Sequence, residues 1–181
     1  MESTTLYASP EPYPSIQAAA PNIAYAQLLA ASLASARSEL TAITQYTYFS
    51  WVLDTEWAQL CTVFRNIANV EMRHLDLLGR TITALGGNPM FRAFPYKRPA
   101  FWSSGVLHYQ SHIEKVLHIS IAGEQEAIDG YQHLSKLIQD QSVIDLLQRI
   151  IVDEEIHLHL FQQYLTTRQT KSKQLFHNDI I

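Results

Sequence analysis

Two parts of the chain carry the same pattern of residues, and this internal repeat constrains the fold more than any other feature. Residues 39–46 read ELTAITQY and residues 124–131 read EQEAIDGY, so Glu, Ala, Ile and Tyr recur at the same offsets. Later in each part, EMRHL at 71–75 corresponds to EEIHL at 154–158. The first Glu precedes the second by 32 residues in one part and by 30 in the other. Each half therefore supplies one Glu and one Glu-x-x-His at nearly equal spacing.

All of these segments lie in runs whose apolar residues recur with the period of an α-helix. Asp54 is suited to cap the start of the second run, and the Gly-Gly-Asn-Pro sequence at 86–89 is suited to end it. We therefore predict four helices, at about 22–51, 54–85, 108–138 and 143–168.

The lengths of the connections constrain how these helices pack. The first and third connections are short, which predicts two antiparallel helical hairpins. The middle connection, about 87–107, can reach about 66 Å when extended. A helix of about 30 residues is about 45 Å long, so this connection can cross the whole bundle. We predict an all-α fold, a four-helix bundle of two antiparallel hairpins joined by one long crossover.

The remaining segments flank or interrupt this bundle. Residues 1–21 are rich in proline and predict an extended N-terminal arm, residues 22–168 form the bundle, and residues 169–181 form a polar C-terminal tail that frays. The crossover includes the aromatic run FRAFPYKRPAFW at 91–102, which could line a site entrance or a subunit contact.

Composition excludes several classes of partner. The formal net charge of −4 gives no electrostatic reason to expect nucleic acid or an anionic membrane surface. No run approaches the length of apolar sequence that a transmembrane helix needs, and the N-terminus does not resemble a secretion signal. The single cysteine, Cys61, excludes an intramolecular disulfide and favours a reducing, cytoplasmic compartment.

The repeated polar residues lie within the apolar stripes, so they should converge inside the bundle. Residues three apart on a helix lie about 60° apart around its axis, which places each Glu-x-x-His pair on one face. Four buried carboxylates without partners would each cost several kcal/mol and repel one another. Two divalent cations would neutralise them, and the mixed oxygen and nitrogen donors suit iron or manganese. The predicted metal ligands are Glu39, Glu71, His74, Glu124, Glu154 and His157.

Three neighbouring residues allow more than one interpretation. Tyr46 and Tyr131 lie inward, two turns after the first Glu of each half, and could act in catalysis by bonding to the ligands or relaying electrons. They could equally be core tyrosines with satisfied hydroxyls. Asp153 could orient a ligand, but the preferred interpretation is a solvated surface residue.

The combination of ELTAITQY, VEMRHL, GEQEAIDGY and DEEIHL resembles the ferritin-like superfamily, in its bacterioferritin and rubrerythrin branches. The resemblance covers about 22–168 and implies a dinuclear site in which Glu71 and Glu154 bridge two metal ions and Glu39 and Glu124 are terminal ligands. Met72 stands where bacterioferritins place a haem ligand between two subunits. A methionine packed at a helix boundary is the ordinary interpretation, so we do not expect haem b.

The resemblance implies an oxidoreductase with two iron ions, or alternatively two manganese ions, that reacts with O2 or hydrogen peroxide. A bacterioferritin-like ferroxidase that stores iron and a di-manganese catalase-like enzyme are the alternatives, and a bundle that holds metal only for stability is a third. The chain has no Cys-rich electron-transfer module, and Ala127 stands where many rubrerythrins carry a further Glu. Any electron donor would therefore be external. We expect a homo-oligomer, a dimer or larger.

Overall fold

The protein is described by a computed structural model covering residues 6–93 and 98–178, with side chains as far as 169. Its helices are α1 (Ile23–Ala34), α2 (Glu39–Val52), α3 (Ala58–Ala84), α4 (Ile113–Leu137) and α5 (Gln141–Asn178). Helix α2 packs along α3, and α4 packs along α5, while α1 lies against α3 ahead of α2. The predicted all-α bundle of two hairpins is confirmed, with α1 and α2 together forming its first helix.

The prediction of one unbroken first helix is wrong, because the chain leaves the helical conformation between α1 and α2. The Ser35 side chain accepts a hydrogen bond from the Arg37 backbone at 3.1 Å, and Ser38 caps α2 by accepting from the Thr41 backbone at 3.3 Å. Serine side chains that bond to nearby backbone groups in this way compete with helical hydrogen bonds. As a consequence, Glu39 is the first residue of α2.

The second helix begins later than predicted and ends where predicted. The Asp54 side chain makes no capping hydrogen bond to the described residues, and a 3₁₀ turn at Thr55–Trp57 precedes α3. After α3, Gly86 adopts a φ of 80°, a left-handed conformation that glycine reaches without steric cost. A side chain at Gly87 would place its Cβ 2.6 Å from the Cβ of Ala26, so this turn packs directly against α1.

The ends of the second hairpin also differ from the predictions. Helix α4 starts at Ile113 rather than near 108, because the Gln45 amide holds the His108 backbone through two hydrogen bonds of 2.7 and 2.9 Å. Helix α5 continues to Asn178, beyond the predicted end near 168, and the fraying of the tail from 169 stays a prediction.

The crossover carries a small hairpin rather than an irregular loop. Strand β1 (Arg92–Ala93) pairs antiparallel with β2 (Ala100–Phe101), and residues 94–97 between them lie outside the described part of the chain. The Trp102 indole donates a 2.9 Å hydrogen bond to the Thr41 hydroxyl, which fixes the end of the hairpin on α2.

The N-terminal arm lies on the bundle. The Gln17 and Ala19 backbone amides donate to the Ser142 and Asp140 side chains at 3.3 and 2.8 Å. Further along, the Arg149 guanidinium donates to arm carbonyls at 2.9 Å. The arm therefore follows the surface of α5 from its start toward its middle.

The hydrophobic core is divided into two clusters along the bundle. One is centred on α1 and the adjoining ends of α3 and α5, and its fully buried members include Leu29, Leu78 and Leu147. The other is aromatic, and there the ring centroid of Phe64 lies 5.5 Å from that of Phe49 and 5.1 Å from that of Phe161. Segments 71–74 of α3 and 154–157 of α5 lie between these clusters. Among the described residues, no helix has both the length and the apolar character that crossing a membrane requires.

Candidate metal centre

The structure brings the predicted ligands together from four helices at the middle of the bundle. Helices α2 and α4 each contribute one Glu, while α3 and α5 each contribute one Glu-x-x-His pair. All of these side chains are buried, with exposed fractions of 3% or less. They are Glu39, Glu71, His74, Glu124, Glu154 and His157.

The ligand atoms form two groups that share two carboxylates. In each group one atom per residue lies within 4.8 Å of the others, and Glu71 and Glu154 belong to both groups. Glu39 and His74 complete the first group. Glu124 and His157 complete the second. This arrangement has room for two cations with two carboxylates between them.

The shared carboxylates each face both histidines with different oxygens. Nδ1 of His74 lies 3.0 Å from Oε2 of Glu71 and 3.2 Å from Oε1 of Glu154. Nδ1 of His157 lies 3.0 Å from Oε1 of Glu71 and 3.3 Å from Oε2 of Glu154. The oxygens of each shared carboxylate are therefore divided between the two halves of the site.

The outer nitrogen of each histidine is held from outside the site. Nε2 of His157 lies 2.8 Å from the carbonyl oxygen of Tyr7, and Nε2 of His74 lies 3.1 Å from Oδ2 of Asp153. A carbonyl oxygen only accepts, so Nε2 of His157 carries the hydrogen. Nδ1 is then the nitrogen that faces the carboxylates, which is the orientation that metal-binding histidines take when another group holds the far nitrogen.

Asp153 is buried and contacts His74, so the preferred interpretation of a solvated surface residue is wrong. Its carboxylate accepts hydrogen bonds from the Tyr13 hydroxyl at 2.5 Å and from the Ser9 backbone at 2.7 Å, and Arg149 lies 2.7 Å away. Burial alone would raise the pKa of Asp153, but the hydrogen bonds from His74 and these partners lower it to about 2. Asp153 is therefore a carboxylate at neutral pH.

Sequence reasoning overlooked this outer layer, which couples the N-terminal arm to the site. The spacing carried a signal for Asp153, because it falls three residues after Ile150 and four before His157, on the buried face of α5. The contacts of Tyr7 and Tyr13 had no such signal, since they depend on where the arm lies. Met72 is 53% exposed on α3, outside the cluster, and the expectation that it binds no haem b stays a prediction.

The two tyrosines bond to the carboxylates that are not shared. The Tyr46 hydroxyl donates to Oε1 of Glu124 at 2.7 Å, and the Tyr131 hydroxyl donates to Oε1 of Glu39. Each bond joins α2 to α4, so the pairs cross between the two hairpins. Both tyrosines are buried, and burial followed by the charge of Glu124 raises the pKa of Tyr46 well above its ordinary value. The hydroxyls of both tyrosines are therefore hydrogen-bonded to carboxylates of the site.

Electrostatics in the metal-free site separates the carboxyl groups into two kinds. Burial, and then the charges of neighbouring carboxylates, raise the pKa of Glu39 and of Glu124 well above the ordinary value. Burial alone would also raise the pKa of Glu71, but His157 and His74 lower it. Burial disfavours the charged imidazoles, yet the surrounding carboxylates raise the pKa of both histidines. Metal-free, the site therefore holds protons that cations would displace.

The donor set fits a pair of divalent cations. Oε1 of Glu71 and Oε1 of Glu154 are buried, and their near neighbours are the histidine Nδ1 atoms, 3.0 Å away at His157 and 3.2 Å away at His74, without a well-formed hydrogen bond among the described residues. Buried charged oxygens that lack well-formed hydrogen bonds are costly. A cation beside each would satisfy them, and carboxylate oxygens with imidazole nitrogens suit iron or manganese. The buried cluster of carboxylates and histidines thus fits a two-metal site.

Comparison with known proteins agrees with this fold. The ferritin-like domain family, described as Ferritin, matches residues 33–170. A probable manganese catalase from Clostridium acetobutylicum is 26% identical over 164 residues, which are 80% of this chain and 71% of that protein.

Solved structures of the same superfamily superpose well. KatB, a manganese catalase from Anabaena PCC7120, has a TM-score of 0.80 at 24% identity, covering 91% of this chain and 81% of that one. A bacterioferritin from Mycobacterium tuberculosis has a TM-score of 0.67 at 25% identity, covering 82% and 88%. With the family match spanning most of its length, this chain belongs to the ferritin-like family.

Proposed function

We propose that the centre holds two manganese ions and disproportionates hydrogen peroxide, converting two H2O2 into two H2O and one O2. The observation that carries this proposal is the division of the Glu71 and Glu154 oxygens between the two halves of the site. Two metals about 3.5–4 Å apart commonly bind and activate oxygen species. The name of the Clostridium relative, a probable manganese catalase, favours manganese and peroxide over the other combinations.

Peroxide disproportionation needs a place to keep two electrons between its half-reactions. One peroxide loses two electrons and two protons to become O2, and the other gains both to become two waters. When bound, a pair of redox-active metal ions supplies and accepts these electrons. The residues of the chain would hold the ions at fixed separation: Glu71 and Glu154 between them, and one histidine on each.

The hydrogen bonds around the ligands would keep this geometry in place. Tyr131 holds one oxygen of Glu39, and Tyr46 holds one oxygen of Glu124. The other oxygen of each carboxylate would then be available to a cation. Asp153 and the Tyr7 carbonyl hold the outer nitrogens of the histidines. Partners of this kind fix ligand orientation before metal arrives and are worth about tenfold to 100-fold in affinity or activity.

Oxygen evolution from peroxide tests the proposal. The purified chain is loaded anaerobically with manganese, and in parallel with iron, and each form receives H2O2 in an oxygen electrode cell. We expect the manganese form to release one O2 for every two peroxides consumed and Glu71→Ala to release none above free manganese. A manganese form that binds two ions and leaves peroxide unchanged would overturn the catalase assignment.

A bacterioferritin-like ferroxidase is the competing function, favoured by the structural likeness to bacterioferritins. It requires the iron form to consume O2 rapidly and to deposit a mineral inside a hollow assembly. Sedimentation of the iron-treated protein separates the two functions, because a dimer has no interior in which to store iron. Homo-oligomer formation, an external electron donor and a cytoplasmic location stay predictions from the sequence.

A further inference from the structure

A cavity of about 440 Å³ reaches the cluster from the side where α2 faces α4. We call it the α2–α4 cavity. At about 30 Å³ per water molecule, its volume equals that of roughly 15 waters, many times what one peroxide molecule occupies. Cavities that bind small organic molecules start at about 300 Å³. The α2–α4 cavity is therefore much larger than peroxide chemistry needs.

Small apolar side chains make up much of the wall of the α2–α4 cavity, and they belong to Ala36, Ala42, Val106, Ile119, Ala122 and Ala127. The wall also includes uncharged polar side chains, those of Ser32, Ser38, Thr41, Gln45, His108 and His118. Gly130 also lines it, and a Cβ built there meets nothing within 4 Å, so this part of the wall faces open space. An apolar wall is poorly solvated, and an apolar ligand that displaces water from it gains free energy.

The charged groups of the α2–α4 cavity lie at its two ends. Its buried end is formed by the carboxylates of the cluster, including those of Glu71 and Glu154. At its exposed end Arg37 and Glu126 form a 2.9 Å ion pair, with side chains 72% and 40% exposed. This pair is neutral, and two divalent cations would neutralise the carboxylates. The distribution suits a ligand with an apolar body and one polar head.

We propose that the α2–α4 cavity binds an apolar organic molecule with a single oxygen-bearing head group, of the primary alcohol class, head toward the carboxylates. The apolar body would lie along the alanines and Gly130, where it removes the most apolar surface from water. The inference extends the proposed peroxide function, since peroxide and the organic ligand would share the same open side of the centre. Its test is binding, which needs no turnover.

The test is calorimetric titration of the full-length chain, metal-free and manganese-loaded, with 1-octanol and with 1-butanol. Each methylene taken out of water strengthens binding by about fourfold. We expect saturable binding of one octanol per chain, at least tenfold tighter than butanol in both forms. The absence of saturable octanol binding would overturn the inference. It is the result expected if a second copy of the chain covers this face and excludes octanol.

Variants at one helix position show whether octanol binds in this cavity. Gly130→Leu fills the open space beside the wall, and we expect octanol binding to weaken at least tenfold. Two variants serve as controls. Gln132→Leu places the same side chain on an exposed position of α4. Gly130→Ala removes the glycine with the smallest added volume. Binding to Gln132→Leu should stay within twofold of the wild type. Equal binding by Gly130→Leu and the wild type would place octanol elsewhere and sink the inference.

These results can be told apart from failure of the catalase proposal. Octanol binding without oxygen evolution would remove the proposed function and keep the cavity as an organic ligand site. Oxygen evolution without octanol binding would remove the organic ligand and leave the peroxide function as proposed.

Discussion

The contact between Asp153 and His74 shows how single residues prepare this site. Asp153 is buried, ionised and held by three partners besides the histidine. Its carboxylate fixes the imidazole ring so that Nδ1 faces Glu71 and Glu154. On the other half of the site a backbone carbonyl does the same for His157. The internal repeat of the sequence therefore extends to the ligands and to the two tyrosines, but not to the groups that orient the histidines.

Asp153→Asn should weaken metal binding by about tenfold to 100-fold, because the amide orients the imidazole less strongly than a carboxylate does. The measurement is competition for manganese against a chelator of known affinity, with circular dichroism to show that the helices remain. Asp145→Asn on the exposed side of α5 is the matched control and should bind as the wild type does. Unchanged affinity in Asp153→Asn would mean that the Asp153 contact does not position the ligand.

Protons and metal ions compete for the same atoms, so metal affinity should rise with pH. The pKa values of Glu39, Glu124 and both histidines are raised in the metal-free site, which means that these groups keep protons to higher pH than usual. Cations must displace these protons, and lowering the pH makes the displacement harder. Manganese titrations between pH 5.5 and 8 should show tightening affinity and proton release into the buffer. Affinity that is flat over this range would contradict the protonation states assigned here.

At the scale of elements, the break between α1 and α2 determines where Glu39 lies. Because Ser38 caps α2, the ligand sits in the first helical turn, where the helix dipole favours a negative charge. Sequence periodicity correctly predicted the apolar faces of α3, α4 and α5 and the end of α3 at Gly86. It could not show the break, since the apolar stripe continues through residues 35–38 and only the serine hydrogen bonds interrupt the helix.

Ser38→Ala should destabilise the metal-free protein by about 1 kcal/mol, the usual contribution of a serine N-cap. Urea unfolding monitored by circular dichroism measures this change in the free energy of unfolding. The exposed Ser111 provides a control, and Ser111→Ala should shift the free energy by less than about 0.5 kcal/mol. Equal effects of the two substitutions would rule out the capping role of Ser38.

The difference between helical periodicity and contacts between distant parts of the chain explains what the sequence could predict of the site. All six proposed ligands followed from spacing along single helices, because residues three and four apart share a helix face. The contacts of the N-terminal arm did not, because Tyr7, Ser9 and Tyr13 reach residues more than 130 positions away in the chain. Extended segments have no periodicity that encodes their partners, so such contacts become visible only in three dimensions.

For the whole molecule, the cluster divides the hydrophobic core into two parts, so metal binding should stabilise the entire bundle. Cations that bind only the folded state at 100 times their dissociation constant add about 2.7 kcal/mol. In a domain of this size each kcal/mol raises the melting temperature by about 2–4 °C. We expect scanning calorimetry to show a melting temperature about 5–10 °C higher with manganese than with chelator. Equal melting temperatures would contradict metal binding at the centre of the fold.

The central claim is that two metal ions bind between Glu71 and Glu154, and metal analysis of the loaded chain tests it most directly. After anaerobic loading with manganese and removal of the excess, elemental analysis should find two ions per wild-type chain. Glu71→Ala should lose both, because Glu71 belongs to both ligand groups, whereas Glu155→Ala, at the exposed neighbour of Glu154, should keep both. Two ions retained in Glu71→Ala, or none in the wild type, would contradict the assignment.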